Sequence, residues 1–179
     1  MTLQYQSVLS PDDNGTFLVT APAFPELTTY SETDGMAEVG AVFVPALEEA
    51  IAARIAVADN IPPADAPGEQ VYVLSALSTL KVELYRALLE KDLNRAQLAK
   101  ELGWHREQVD RLFRLGHLSR LDQIDAAARV LGLGIDVGLR KLTVMERSGG
   151  QPDITEETIP GPRAKRSGAA AIARMNRNA

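Results

Sequence analysis

Apolar and polar positions along the chain change period several times, and each change marks a predicted element. Residues 3–9 alternate loosely, Pro11-Asp12-Asp13-Asn14-Gly15 is rich in turn formers, and Thr16-Phe17-Leu18-Val19-Thr20 is β-branched and aromatic. That order predicts a β-hairpin. Pro22 and Pro25 end it, and Glu26–Tyr30 reads as a third strand. Ser31 to Asp34 offers caps for a helix from about Met36 to Ala58, with Met36, Val39, Phe43, Leu47, Ile51 and Ile55 close to a single stripe. Pro45 is expected to kink or interrupt that helix, because it removes an N–H and crowds the preceding turn. A proline-rich stretch, Asp59 to Gly68, reads as a linker or long loop, and Gln70–Leu74 as a short further strand.

The second half is helical in period. Ser75 can cap a helix reaching Lys91, with Leu77, Leu80, Leu84 and Leu88 at helical spacing. From Asn94 to Leu115 two short helices are expected around a tight turn. Asn94 is the N-cap, Leu98, Ala99 and Leu102 form one apolar face, and Gly103 stands where a positive φ ends the first helix. The second opens at His105, turns Val109 and Leu112 inward, and leaves Arg106, Glu107, Asp110, Arg111 and Arg114 outward. This is the helix-turn-helix pattern, whose second helix enters the DNA major groove. An ordinary helical hairpin with a solvated face shares much of it, and Glu107 with Arg111 has the spacing of a simple surface ion pair. Ser119 and Asp122 resemble a capping box for a last helix that carries Leu121, Ile124, Ala127, Ala128 and Leu131 and ends at Gly132. Four helices then share a small core that includes Trp104 and Phe113. Ile135 to Val144 alternates as a strand does, and it can pair with its copy in a second subunit. Beyond Arg147 a disordered tail is expected; residues 161–179 hold five bases and no acid, as suits either a solvated tail or contact with DNA phosphates.

Charge sharpens this division. Residues 1–70 carry one base, Arg54, against eleven acids, whereas residues 71–142 carry twelve bases and nine acids. The front half therefore suits a basic partner, and the back half is compatible with phosphate. The chain has no cysteine, which excludes disulfides, thiolate metal sites and Cys nucleophiles. Its two histidines, His105 and His117, form no ligand-spaced cluster, and no cofactor is implied. With no secretory h-region and no membrane-length apolar run, a soluble cytoplasmic protein without membrane contact is expected.

The hairpin, the segment Phe24 to Thr33 with its Ser31-Glu32-Thr33 ending, and the helix opening at Ala37-Glu38 together resemble the N-terminal domain of HicB antitoxins. Asn94 to Gly132 is similar to the family branch with a Cro/repressor-type helix-turn-helix, through Arg111-Leu112-Phe113-Arg114, Leu121-Asp122, Ala127-Ala128 and Leu131-Gly132. The resemblance covers about residues 3–145; the Asp34-Gly35 insertion, Pro45 and the basic tail depart from it.

The resemblance implies an α+β chain: a partial RNase H-like toxin-binding domain (1–70), a helix-turn-helix DNA-binding and dimerisation domain with a C-terminal strand (71–145), and a flexible basic tail (146–179). The implied partners are a small basic mRNA-cleaving toxin of HicA type and the operator DNA of the shared operon, bound by a homodimer or homotetramer. Asp12, Asp13, Glu26 and Glu32 are the candidate toxin contacts. By position, Arg106, Glu107, Gln108 and Arg111 face base edges, while Arg95 and Arg114 meet phosphates. His105 occupies an N-cap position, and Phe113 a core or dimer contact. The rival reading is a stand-alone regulator with an N-terminal ligand sensor. RNase H-type catalysis needs carboxylates converging on two metal ions. Asp12 and Asp13 sit in a turn and Glu48 and Glu49 on a helix, so no enzyme is expected.

Overall fold

A computed structural model describes residues 3–64, 68, 70–139 and 141. Ten elements follow one another: β1 (Gln4–Gln6), β2 (Val8–Pro11), β3 (Phe17–Ala21), β4 (Phe24–Ser31), α1 (Met36–Ala56), β5 (Val71–Val73), α2 (Ala76–Glu90), α3 (Arg95–Leu102), α4 (Arg106–Leu112) and α5 (Leu121–Val130). The fold is mixed, with two small antiparallel sheets and five helices among the described residues.

The expected hairpin forms between β2 and β3, in the register Val8↔Thr20 to Pro11↔Phe17. Its turn closes through Asp12 N–H to the Thr16 carbonyl at 2.9 Å, and Gly15 supplies the required positive φ of 82°. β4 is the third strand, paired to β3 from Phe17↔Ser31 to Ala21↔Phe24. The alternation over 3–9, however, is two strands and not one. At buried Ser7 the chain changes sheets, and β1 pairs with β5 through Tyr5↔Tyr72. Local alternation records which side chains are buried, not which strand lies alongside.

α1 runs unbroken through Pro45, which stands on its exposed face. An interior proline costs roughly 3 kcal/mol. Val39, Phe43, Leu47, Ile51 and Ile55 on the opposite face are all buried, and each such side chain returns about 1.5–3 kcal/mol. Met36 is the exception to the expected stripe, at 44% exposed. The expected side-chain cap does not form either: the N-cap is Gly35, while the Ser31 hydroxyl donates to the Thr33 carbonyl at 2.7 Å and shapes the turn before it. Gly40 lets Tyr72 approach α1. A Cβ there would lie 2.7 Å from Tyr72 Cε1, and the Tyr72 hydroxyl donates to the Met36 carbonyl at 3.0 Å. Gly40→Ala, which in an open helix would gain roughly 1 kcal/mol, should therefore lose about 1 kcal/mol through overpacking. A lowered melting temperature checks this, and a raised one would contradict the close approach.

The stretch after α1 is tied down where it is described. The Pro62 carbonyl accepts from Tyr5 Oη at 2.8 Å and from the Arg86 guanidinium, Asp59 O accepts from Tyr85 Oη at 2.8 Å, and Ile61 is buried. α2 is buried on more sides than its leucine stripe suggested. Leu84 and Leu88 are core, Leu77 and Leu80 are half-buried, and Ser78, Lys81, Val82 and Tyr85 are buried beside them. A helix packed on several sides loses the single-stripe pattern.

α5 starts at Leu121, but the Ser119–Asp122 box does not form. Arg120 is the N-cap without a side-chain bond, and the Arg120 guanidinium takes Asp122 at 2.7 Å. Leu121 is 53% exposed, whereas Ile124, Ala127 and Ala128 are buried. No strand forms among the described residues 133–139, and the remainder of the expected 135–144 strand, apart from Lys141, lies outside the described residues. The tail expected from 146 lies outside the described residues. Among the described residues, no helix is long and apolar enough to cross a membrane.

Candidate functional site

Two short helices and one turn carry the candidate residues from Arg95 to Arg111. The Asn94 carboxamide oxygen accepts from Ala96 N at 3.0 Å and Gln97 N at 2.9 Å, and Gln97 Oε1 accepts from Asn94 N at 2.8 Å. This reciprocal cap fixes where α3 begins. It ends at Gly103, φ 66°, with Trp104 N–H bonded to the Ala99 carbonyl at 2.9 Å and Gly103 N–H to that of Lys100 at 3.2 Å. Those two bonds make a Schellman turn, which sets the direction in which α4 departs.

α4 buries Val109 and Leu112 and keeps Arg106, Glu107 and Arg111 in solvent. His105, Arg106, Glu107, Gln108 and Arg111 line one open hollow of about 470 Å³. Four of the six candidate DNA contacts are thus brought together. Gln108 Oε1 accepts from His105 N at 3.0 Å, which steadies the start of α4 and leaves the Gln108 amide donors free of that bond. Arg106 Nε lies 3.8 Å from Asp110. The Glu107–Arg111 pair does not close, and no ion pair among the described residues engages Arg111 or Arg114.

Arg95 is engaged elsewhere. Its guanidinium donates to the Ile55 carbonyl at 2.9 Å, lies 3.4 Å from Asp110 Oδ1, and rests 5.4 Å from the Phe113 ring centroid. It joins the end of α1 to α4. Phe113 is buried and meets Tyr85 edge-on at 6.1 Å, which makes it a core residue. Arg114 is exposed just beyond α4.

In the first half, the register Pro11↔Phe17↔Ser31 puts the 12–15 turn and Glu32 at the same end of the three-stranded sheet. Asp12, Asp13 and Glu32 are all exposed there. Glu26 belongs near the other end of β4 and is committed to Arg54, at 2.6 and 3.0 Å through both carboxylate oxygens. The Arg54 hydrogen bonds hold the Glu26 carboxyl below its ordinary value, and Glu26 raises the Arg54 guanidinium in return. Among the described residues, no group of three or more His, Asp or Glu is placed to hold a metal ion.

Sequence reasoning missed Lys81. Its side chain is fully buried, and Nζ donates to the Arg114 carbonyl at 2.5 Å and to the His117 carbonyl. Burial lowers its pKa to about 8, with Glu48 of α1 opposing the fall. The available signal was its spacing: Lys81, Tyr85 and Leu88 fall at i, i+4, i+7, a pattern that a solvated lysine with a long apolar stem also produces.

No protein-family model matches the chain. Curated relatives do resemble it. It is 34% identical over 125 residues to Antitoxin HicB of Pseudomonas fluorescens (strain Pf0-1), covering 68% of this chain and 84% of that one. It is 29% identical over 132 residues to Antitoxin HicB of Escherichia coli (strain K12), covering 73% and 94%. Antitoxin HicB 1 of Photorhabdus laumondii is 30% identical over 137 residues, covering 73% and 83%.

Proposed function

The chain belongs to the HicB antitoxin family, and on that premise we propose that it neutralises a HicA-like mRNA-cleaving toxin by direct binding and represses its own operon through α3 and α4. The observation that carries the DNA-reading half is the surface of α4, where Arg106, Glu107, Gln108 and Arg111 face one hollow while Val109 and Leu112 anchor the helix below. In this reading α3, the Gly103 turn and α4 are a helix-turn-helix. Arg106 and Arg111 fork onto guanines, Gln108 suits adenine, and Glu107 accepts from cytosine. Arg114 takes a phosphate. Arg95 can do so only by giving up its contacts with Ile55 and Asp110, so its main part is to brace α4.

The acidic front half holds the toxin, with the sheet β2–β3–β4 and α1 as a shortened RNase H-like unit that has no catalytic role. The division into 1–70, 71–145 and a basic tail from 146 follows the two tasks. Val137 and Leu139, alternate positions of the 135–144 segment, are 74% and 101% exposed, as befits a surface covered by a second copy. A homodimer or homotetramer then meets two half-sites.

Growth rescue tests the antitoxin role. Expression of the small basic protein encoded next to this gene should arrest growth, and co-expression of this chain should restore it. Persistent arrest with both proteins made would overturn the reading. Neutralising Asp12, Asp13 and Glu32 together (Asp→Asn, Glu→Gln) should weaken toxin association by roughly 0.5–1 kcal/mol per charge, most at low salt. Glu26→Gln should cost less association, because Arg54 already occupies that carboxylate. Isothermal titration at two salt concentrations distinguishes these outcomes, and an equal loss from Glu26→Gln would contradict the placement.

A further inference from the structure

α4 is two turns long, so few of its own backbone bonds hold its direction. At its start it is set by the Gly103 turn and Gln108. At its end the chain passes through Phe113 into a turn, with Arg114 N–H bonded to the Arg111 carbonyl at 3.3 Å and His117 N–H to that of Arg114 at 3.1 Å. The carbonyls of Arg114 and His117 both converge on the Lys81 ammonium. A methionine would fill the same space without the burial cost of a charge, so the contact and not the packing accounts for a lysine here.

We infer that Lys81 is a positioning residue for DNA reading: by gripping the Arg114 and His117 carbonyls from inside the core, its ammonium fixes how α4 presents Arg106 and Arg111. The inference rests on the reading of α4 as the groove-entering helix. α1 also contributes to the grip. Ser75 Oγ donates to Ser78 Oγ at 2.9 Å, and Ser78 Oγ to Glu48 Oε1 at 2.5 Å, which places the Glu48 carboxylate beside the helix that carries Lys81. Around the ammonium, α1 brings Glu48, whose charge favours the protonated form. α2 brings Ser78 and, one turn on, Tyr85, whose hydroxyl is spent on Asp59 O. The turn brings the two carbonyls and His117, whose ring meets Ser119 Oγ at 3.3 Å. α5, packed on α2, buries only Ile124, Ala127 and Ala128.

With a pKa of about 8 the ammonium loses its proton inside an accessible range, and the amine that remains grips two carbonyls more weakly. The test compares binding of the full chain to its own upstream DNA and to a scrambled duplex between pH 6.5 and 9.5. The preference for the upstream DNA should fall about tenfold between pH 7 and pH 9 while scrambled-duplex affinity stays level. Lys81→Met should lie at the low level at every pH, and Glu48→Gln should keep the preference at pH 7 but shift the fall to lower pH. A folded Lys81→Met chain with wild-type preference and pH profile overturns the inference. If that variant does not fold, the wild-type profile and the Glu48→Gln shift decide, and a flat wild-type profile overturns it. A wild-type chain that prefers neither duplex at any pH overturns instead the reading of α4 on which this rests.

Discussion

Arg111→Ala should cut the preference for the chain's own upstream DNA over a scrambled duplex by roughly 5- to 150-fold, the equivalent of about 1–3 kcal/mol. Arg111 is exposed and lines the same hollow as Arg106 and Gln108, and no ion pair among the described residues competes for its guanidinium. It is therefore free to fork onto a guanine without first breaking a contact. Arg106→Ala should act in the same direction and less strongly, since Asp110 lies 3.8 Å away and holds part of its charge. Arg114→Ala should weaken both duplexes alike and lower the salt slope by about 1, as loss of a phosphate contact does. Arg95→Ala should behave differently again. It removes an ion pair, a hydrogen bond to Ile55 O and a ring contact, so it should lower stability by about 1–2 kcal/mol before any DNA is added. Competition binding on the two duplexes, with melting curves alongside, separates the four. Unchanged discrimination in Arg111→Ala would place the reading surface elsewhere.

The second large effect is a rise of stability in mild alkali. Lys81 holds its proton less tightly in the folded chain, at about 8, than the ordinary lysine value of 10.5. Between those two values the unfolded chain binds more protons than the folded one, so stability must increase with pH across that window and level off above it. The gain from this one group is at most about 3 kcal/mol. Above pH 10 the phenols of Tyr72 and Tyr85 oppose it, because burial raises both and the folded chain then keeps protons that the unfolded chain loses. Urea titrations between pH 7.5 and 9.5 isolate the lysine. The wild type should gain stability over that range and Lys81→Met should not; parallel curves would show that the ammonium is not strained in the core.

Much of the architecture was legible because it is written in local signals. Asn94 and Gly103 mark both ends of α3, Ser75 marks the start of α2, and the Asp12–Gly15 cluster marks the hairpin turn. Val109 and Leu112 gave the phase of α4, and with it the face that carries Arg106, Glu107 and Arg111. What escaped depends on partners distant in the chain. Nothing within 3–9 says that its first part pairs with residues 71–73, and nothing around Pro45 says that the buried face of α1 outweighs an interior proline. Lys81 escaped notice because the carbonyls that receive it lie 33 and 36 residues away. The commitments of Glu26 to Arg54 and of Arg95 to Ile55 and Asp110 were hidden in the same way. Charge balance identified an acidic half, but not which of its carboxylates were already paired.

A nuclease-protection footprint of the full chain on the DNA upstream of its gene puts the division of labour to its most direct test. Two protected half-sites, centred about 10–10.5 base pairs or a multiple of that apart and lost in Arg111→Ala, are the expected pattern. Uniform cleavage at concentrations where the folded chain still silences its toxin would contradict it, and would leave an antitoxin that reads no DNA.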